Sequence, residues 1–279
     1  MKKVTFLVLG SIAMYGCGGG GGGSEEGNKT LSDSEVSALI QCTNLAEATP
    51  CTQNIYGSWG VLVSQEYQDD YCTSMYCFAD GSSSPEYPHL TRFRNNGELI
   101  PVYYLNSKDS RFEYALDKAE EIIGYQIFDR KGIISLEIGK DDPFFDIDYS
   151  DMPTEWGFIW SQGTVSGSCS AGTVSNAPYS NNVASYAVGS DYGIEQTKWN
   201  GGYAWISLDS ESPADQGCTT IASNEVSLHE LSHALGMNNH FDGFGDGAAF
   251  NKNAERVLRN MYSTQNPAGQ PFDSLNIEP

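Results

Sequence analysis

HELSHALGMNNH, residues 229–240, holds three of the chain's four histidines within twelve positions. His229 and His233 stand four residues apart, one turn of a helix, so their imidazoles project from one face. Glu230 lies between them, Gly236 follows three residues after His233, and His240 follows four residues after the glycine. Leu228, Leu231 and Leu235 fall on a separate stripe at three- and four-residue steps, as in a helix laid against a core. Ser223 or Asn224 is placed to cap that helix, and Glu225 falls in its first turn, where a carboxylate suits the positive end of the dipole.

Two imidazoles one turn apart can each give a nitrogen to a single zinc ion at about 2.0–2.1 Å, with the intervening carboxylate beside the metal but not on it. Glu230 is then the candidate general base of a hydrolytic site, and Zn2+ the expected cofactor. A catalytic zinc keeps one position open for water, so one more protein ligand is required. Gly236, at the helix end, can take a left-handed conformation and turn the chain back toward the metal, which makes His240 the nearest third ligand. Asp242 and Glu255 are the other two groups within reach of that role. Asn238 and Asn239 tolerate turn conformations, so a widened turn serves His240 most easily. The acidic and glycine positions of HFDGFGDG, 240–247, lack the oxygen spacing of a helix-loop-helix calcium site and read as a flexible acidic loop.

HELSHALGMNNH resembles the metzincin clan of zinc endopeptidases, whose signature is HExxHxxGxxH followed by a methionine in a tight turn beneath the metal; here one extra residue precedes the third histidine. In ERVLRNMYS, 255–263, Met261 followed by Tyr262 is similar to the Met-Tyr pair of the matrixin branch. The resemblance covers residues 100–279. It implies an α+β fold: a metzincin-like twisted mixed sheet, two packed helices of which one carries HExxH, and a small C-terminal subdomain. It also implies His229, His233 and His240 as zinc ligands, Glu230 as base, and Gly236, Met261 and Tyr262 in support. The substrate it implies is an extended peptide lying antiparallel to an edge strand of the sheet, for which GYAWISL, 202–208, is the candidate.

Upstream, the pattern of elements agrees with a sheet covered by helices. IPVYYL, 100–105, reads as a strand, and RFEYALDKAEEIIG, 111–124, as a helix with Phe112, Leu116, Ala119, Ile122 and Ile123 on one face and Gly124 ending it. YQIF and IISLEI read as strands flanking a turn at DRKG, followed by WGFIW, NVASYAV and GYAWISL. Residues 32–99 read as a small β-rich N-terminal region, with a short helix near 34–46, a strand at GVLVSQEY and a hairpin turning at Asn95, Asn96 and Gly97. His89, in a turn-rich stretch, reads as a surface or packed histidine.

MKKVTFLVLGSIAMYGC, residues 1–17, has two lysines, a short apolar run and a Gly16–Cys17 junction, the form of an export signal resembling the lipidation box of bacterial lipoproteins. Its apolar run is too short to span a bilayer, which takes about 20 residues. The glycine-rich stretch within residues 18–31 reads as a flexible tether. The expected location is therefore outside the cytoplasm, as a lipoprotein anchored through Cys17 or a secreted protein, with no other membrane contact.

The six remaining cysteines, 42, 51, 72, 77, 169 and 218, are expected to form three disulfides: local pairs among the first four, and a Cys169–Cys218 bridge. A formal charge of -21 repels phosphate backbones and excludes nucleic acid as a natural partner. The expectation is a monomeric zinc endopeptidase acting on protein or peptide substrate. The alternative is a non-catalytic surface lipoprotein that binds a partner or glycan and keeps a structural metal site.

Overall fold

The computed structural model of the chain describes residues 30–44, 90, 92–93, 99–136, 148–162, 171–175, 187–188, 193–195, 203–208, 221–237, 240–268 and 270–279. In chain order these form α1 (Asp33–Asn44), β1 (Arg92–Phe93), β2 (Ile100–Leu105), α2 (Ser110–Ile123), β3 (Phe128–Ile134), β4 (Gly157–Gln162), β5 (Ala171–Ser175), β6 (Ala187–Val188), β7 (Gly193–Glu195) and β8 (Tyr203–Leu208). They continue with α3 (Asn224–Ala234), β9 (Phe241–Asp242), β10 (Gly245–Asp246), α4 (Lys252–Tyr262) and a 3-10 turn at Phe272–Ser274. The signal, the tether, GVLVSQEY, His89, Asn95 to Gly97, Asn238, Asn239 and all cysteines except Cys42 lie outside the described residues.

The main sheet has the order β3-β2-β4-β8-β5. Its first four strands are parallel and β5 runs antiparallel to β8. Parallel strands are covered on both faces and so read as continuous apolar runs, and IPVYYL shows this with all six residues buried. Val102, Tyr104, Phe158, Trp160, Ala204 and Ile206 face the large core shared with the helices; Tyr103, Leu105, Ile159, Tyr203 and Trp205 form an aromatic-rich cluster on the other face. Gly157 sits at φ 145°, and a Cβ there would lie 2.5 Å from the carbonyl oxygen of Pro101 on the neighbouring strand, so only glycine fits.

Several sequence expectations are corrected here. DRKG is not a turn between two strands. Phe128–Ile134 is one strand, pairing Val102 with Arg130 and Tyr103 with Gly132, so Lys131 is the extra residue of a bulge that glycine, at φ 113°, accommodates. GYAWISL is not an edge. β8 is paired with β4 on one side and β5 on the other, so its backbone groups are already spent on ladder bonds, and β5 lies at the end of the strand order. The strands flanking Asn95 to Gly97 do not form a hairpin, since β1 pairs with β7 in a separate small sheet while β2 is central in the main one. Of NVASYAV, Ala187–Val188 are among the described residues and form β6. Four α-helices occur among the described residues: α1 falls where the short helix near 34–46 is expected, α2 and α3 are the two packed helices, and α4 is additional.

The helices hold the motif helix α3 at both ends. Asp109 caps α2 by accepting from the Arg111 amide, and Gly124 ends it at φ 87°, as its sequence predicts. Ser227 Oγ donates to Arg111 O at 2.9 Å, and Arg111 Nη1 donates to Ala222 O at 2.7 Å, which ties the start of α3 to α2. Helix α1 lies on α4: Arg256 meets Asp33 at 2.6 Å, and Val36, Leu39 and Ile40 enter the same core as Leu228, Leu231 and Leu235. Burying each such side chain contributes about 1.5–3 kcal/mol. Cys42, on α1, is disulfide-bonded.

Candidate metal centre

Ser223 caps α3 by accepting from the Val226 amide, and the helix runs through His229, Glu230 and His233 to a close at Leu235. Gly236 follows at φ 101°, with its amide on His233 O and the Met237 amide on Ser232 O, each at 3.0 Å. These two bonds are a Schellman closure. It needs a residue that accepts positive φ after the helix, which is why Gly236 stands there. His240 lies beside the second helical histidine.

His229 Nε2 and His233 Nε2 stand 3.0 Å apart, and His233 Nε2 and His240 Nε2 stand 3.2 Å apart. Taken one nitrogen from each, the three imidazoles lie within 4.8 Å of one another and are the one such metal-binding group among the described residues. His229 is buried; His233 and His240 are partly exposed.

The far nitrogens of the two helical histidines are fixed as well. His229 Nδ1 lies 2.9 Å from Ala249 O, and His233 Nδ1 lies 2.6 Å from Met237 O. A carbonyl can only accept, so Nδ1 carries the proton in both rings and each Nε2 presents a lone pair. Desolvation, assisted by the neighbouring imidazoles, holds His229 well below the ordinary histidine range and His233 down to about 3. Desolvation lowers His240 too, opposed by the charge of Asp246. The neutral rings of His229 and His233, aiming lone pairs at each other from 3.0 Å, repel unless a proton or a cation sits between them. Four-coordinate nitrogen ligands at 2.0–2.1 Å would be roughly 3.3 Å apart, close to the separations found.

HFDGFGDG is an ordered wall of the site and not a loose acidic loop. Phe241–Asp242 and Gly245–Asp246 pair with each other, and the Asn251 amide bonds Gly243 O at 2.9 Å. Phe244 is fully buried, with its ring 4.3, 5.0 and 5.7 Å from the rings of His229, His233 and His240. Gly245, at φ 74°, backs onto the rings of His240 and His229. Neither residue was singled out from the sequence. The alternating glycines 243, 245 and 247, all at positive φ, were the available signal.

Of the competing ligands, Asp242 is exposed, and Glu255 lies on α4, where Lys118 reaches it at 3.5 Å. Neither belongs to the three-histidine group. Met261 is buried in the last turn of α4 and not in a tight turn. Its neighbour Tyr262 donates from its hydroxyl to Leu235 O at 2.9 Å, at the close of the motif helix. Arg92, the buried first residue of β1, collects the carbonyls of Met261, Ser263 and Asn266 at 3.0, 3.0 and 3.1 Å and sits 4.6 Å from the Tyr262 ring centroid. Cationic donors suit the negative end of a helix, so Arg92 stabilises the end of α4 that carries the tyrosine.

Three histidines able to hold a metal ion are thus present, with a buried carboxylate, Glu230, in the turn between two of them. Compared with known protein families, curated proteins and solved structures, the chain matches none of them. The chemical reading therefore rests on the site itself.

Proposed function

We propose that the chain is a zinc-dependent endopeptidase. The observation that carries this reading is the convergence of three Nε2 atoms at 3.0 and 3.2 Å, with both helical rings oriented by backbone carbonyls. Imidazole nitrogens of this kind suit zinc, and three protein ligands leave the fourth position for water, as a catalytic site requires. Zinc held by these residues would supply an acidified water, with a pKa of about 7, and a polarised carbonyl.

The chain's own residues supply the rest. Glu230 takes a proton from the attacking water and delivers it to the departing amine nitrogen, so the C–N bond breaks without expelling an amide anion. Phe244 and the glycine wall keep the three rings in place and exclude solvent behind them. The resemblance to metzincins implies an extended peptide paired with a sheet edge. The antiparallel strand β5, which lies against α3, takes the role first given to 202–208.

Zinc content measured together with cleavage of an unstructured protein tests this reading. About one zinc per chain and cleavage abolished by a chelator are expected, and cleavage that persists without metal rejects it. The export proposal has its own test: Cys17→Ser should move the protein from the membrane to the soluble fraction, because stable anchoring needs the acyl chains that the cysteine would carry.

A further inference from the structure

Three consecutive carbonyls follow the motif helix, and each is bound by a different side chain. Tyr262 Oη donates to Leu235 O at 2.9 Å, Asn44 Nδ2 donates to Gly236 O at 3.0 Å, and His233 Nδ1 donates to Met237 O at 2.6 Å. The middle contact is buried and joins positions 192 apart in the chain. Asn44 is the last residue of α1 and is itself buried.

Glycine at φ 101° leaves the peptide that follows it free to rotate more readily than any other residue would. That peptide joins Gly236 to Met237, and the next carbonyl is the one that orients His233. Two bonds stop it from rotating: the Met237 amide on Ser232 O, and Asn44 on Gly236 O. Asn44 is in turn fixed because α1 is docked through Val36, Leu39 and Ile40, through Arg256 on Asp33, and through Ser37 Oγ on Phe272 O at 3.4 Å.

We propose that Asn44 is a positioning residue of the metal centre: by fixing the Gly236–Met237 peptide it sets the direction of the Met237 carbonyl and hence of the His233 ring. The N-terminal helix, whose sequence carries no chemistry of its own, is by this contact part of the site. The proposal rests on the reading of the three histidines as a metal centre and not on the reaction performed there. Removing the donor leaves Gly236 O buried without its amide partner and allows the peptide to turn. Replacing an outer partner of a metal-binding histidine typically costs 10–100-fold in affinity, and Asn44, one peptide further out, should lie near the lower end, about 10-fold.

The test is an equilibrium titration of the full chain with Co2+, read by its visible d–d absorption, together with melting curves of the metal-free proteins. Asn44→Asp, nearly isosteric but lacking the donor, and Asn44→Leu are compared with Ser161→Ala, which breaks the buried 2.7 Å hydroxyl pair with Ser207 in the main sheet and touches neither α1 nor the histidines. Both Asn44 variants should bind Co2+ about 10-fold more weakly with an altered d–d band, while Ser161→Ala melts lower and binds as the unmodified chain does. Should Asn44→Leu fail to fold, Asn44→Asp decides. Asn44 variants with Co2+ affinity within twofold and an unchanged spectrum overturn the proposal and leave the metal centre intact. An unmodified chain that binds no Co2+ overturns both.

Discussion

Gly245 and His240 are packed so closely that a Cβ on the glycine would lie 2.6 Å from Cδ2 and 2.7 Å from Cγ of the imidazole, and 2.8 Å from Cε1 of His229. The backbone of HFDGFGDG is therefore the wall against which two candidate ligands rest. Gly124, at φ 87°, offers a comparison, because a Cβ there meets nothing within 4 Å. Gly124→Ala should cost only the left-handed penalty, about 1–2 kcal/mol, and leave metal binding alone. Gly245→Ala adds a collision with the rings and should weaken both stability and metal affinity. Urea unfolding and zinc titration of the two variants side by side check this, and equal effects would refute the wall.

The extra residue between Gly236 and His240 leaves the third ligand in question in the sequence, and the structure brings His240 to His233 while Asp242 stays exposed and Glu255 is engaged by Lys118. His240→Ala should lower zinc affinity by at least about 10-fold to 100-fold, no milder than the loss of a partner outside the coordination sphere. Asp242→Ala and Glu255→Ala should bind zinc normally. Competition against a chelating indicator measures all three, and normal affinity in His240→Ala would require another third ligand.

Tyr262 offers a test of how the two ends of the site are joined. Tyr262→Phe keeps the ring and its packing beneath Arg92 and removes only the hydroxyl, which donates to Leu235 O at 2.9 Å and accepts from the Phe93 amide at 3.4 Å. A buried carbonyl left without that donor should destabilise the fold by about 1–3 kcal/mol, read as a lower urea midpoint with an unchanged slope. No loss of stability would show that the hydroxyl contact contributes nothing to holding α3.

Legibility in the sequence followed the range of the interactions. The cap at Ser223, the αL stop at Gly124, the Leu228–Leu231–Leu235 stripe and the turn at Gly236 were all readable, because each depends on residues a few positions apart. Strand order was not: whether Tyr203–Leu208 lies at an edge or in the centre is decided by β4 and β5, which its own residues do not encode. DRKG shows the same limit, since turn-forming residues can equally build a bulge once a partner strand is present. The roles of Phe244 and Asn44 are illegible in the sequence for a related reason. A phenylalanine between glycines and an asparagine at the end of a remote helix acquire roles only when the chain folds them onto the histidines and onto Gly236.

The most direct measurement is zinc stoichiometry and peptide hydrolysis in Glu230→Gln. The substitution keeps the size of a buried side chain in the turn between two ligands and removes its basicity. Zinc should remain bound at near-normal stoichiometry while hydrolysis falls by about 100-fold or more. Full activity in Glu230→Gln, with zinc bound, would contradict a peptidase that uses this carboxylate as its base.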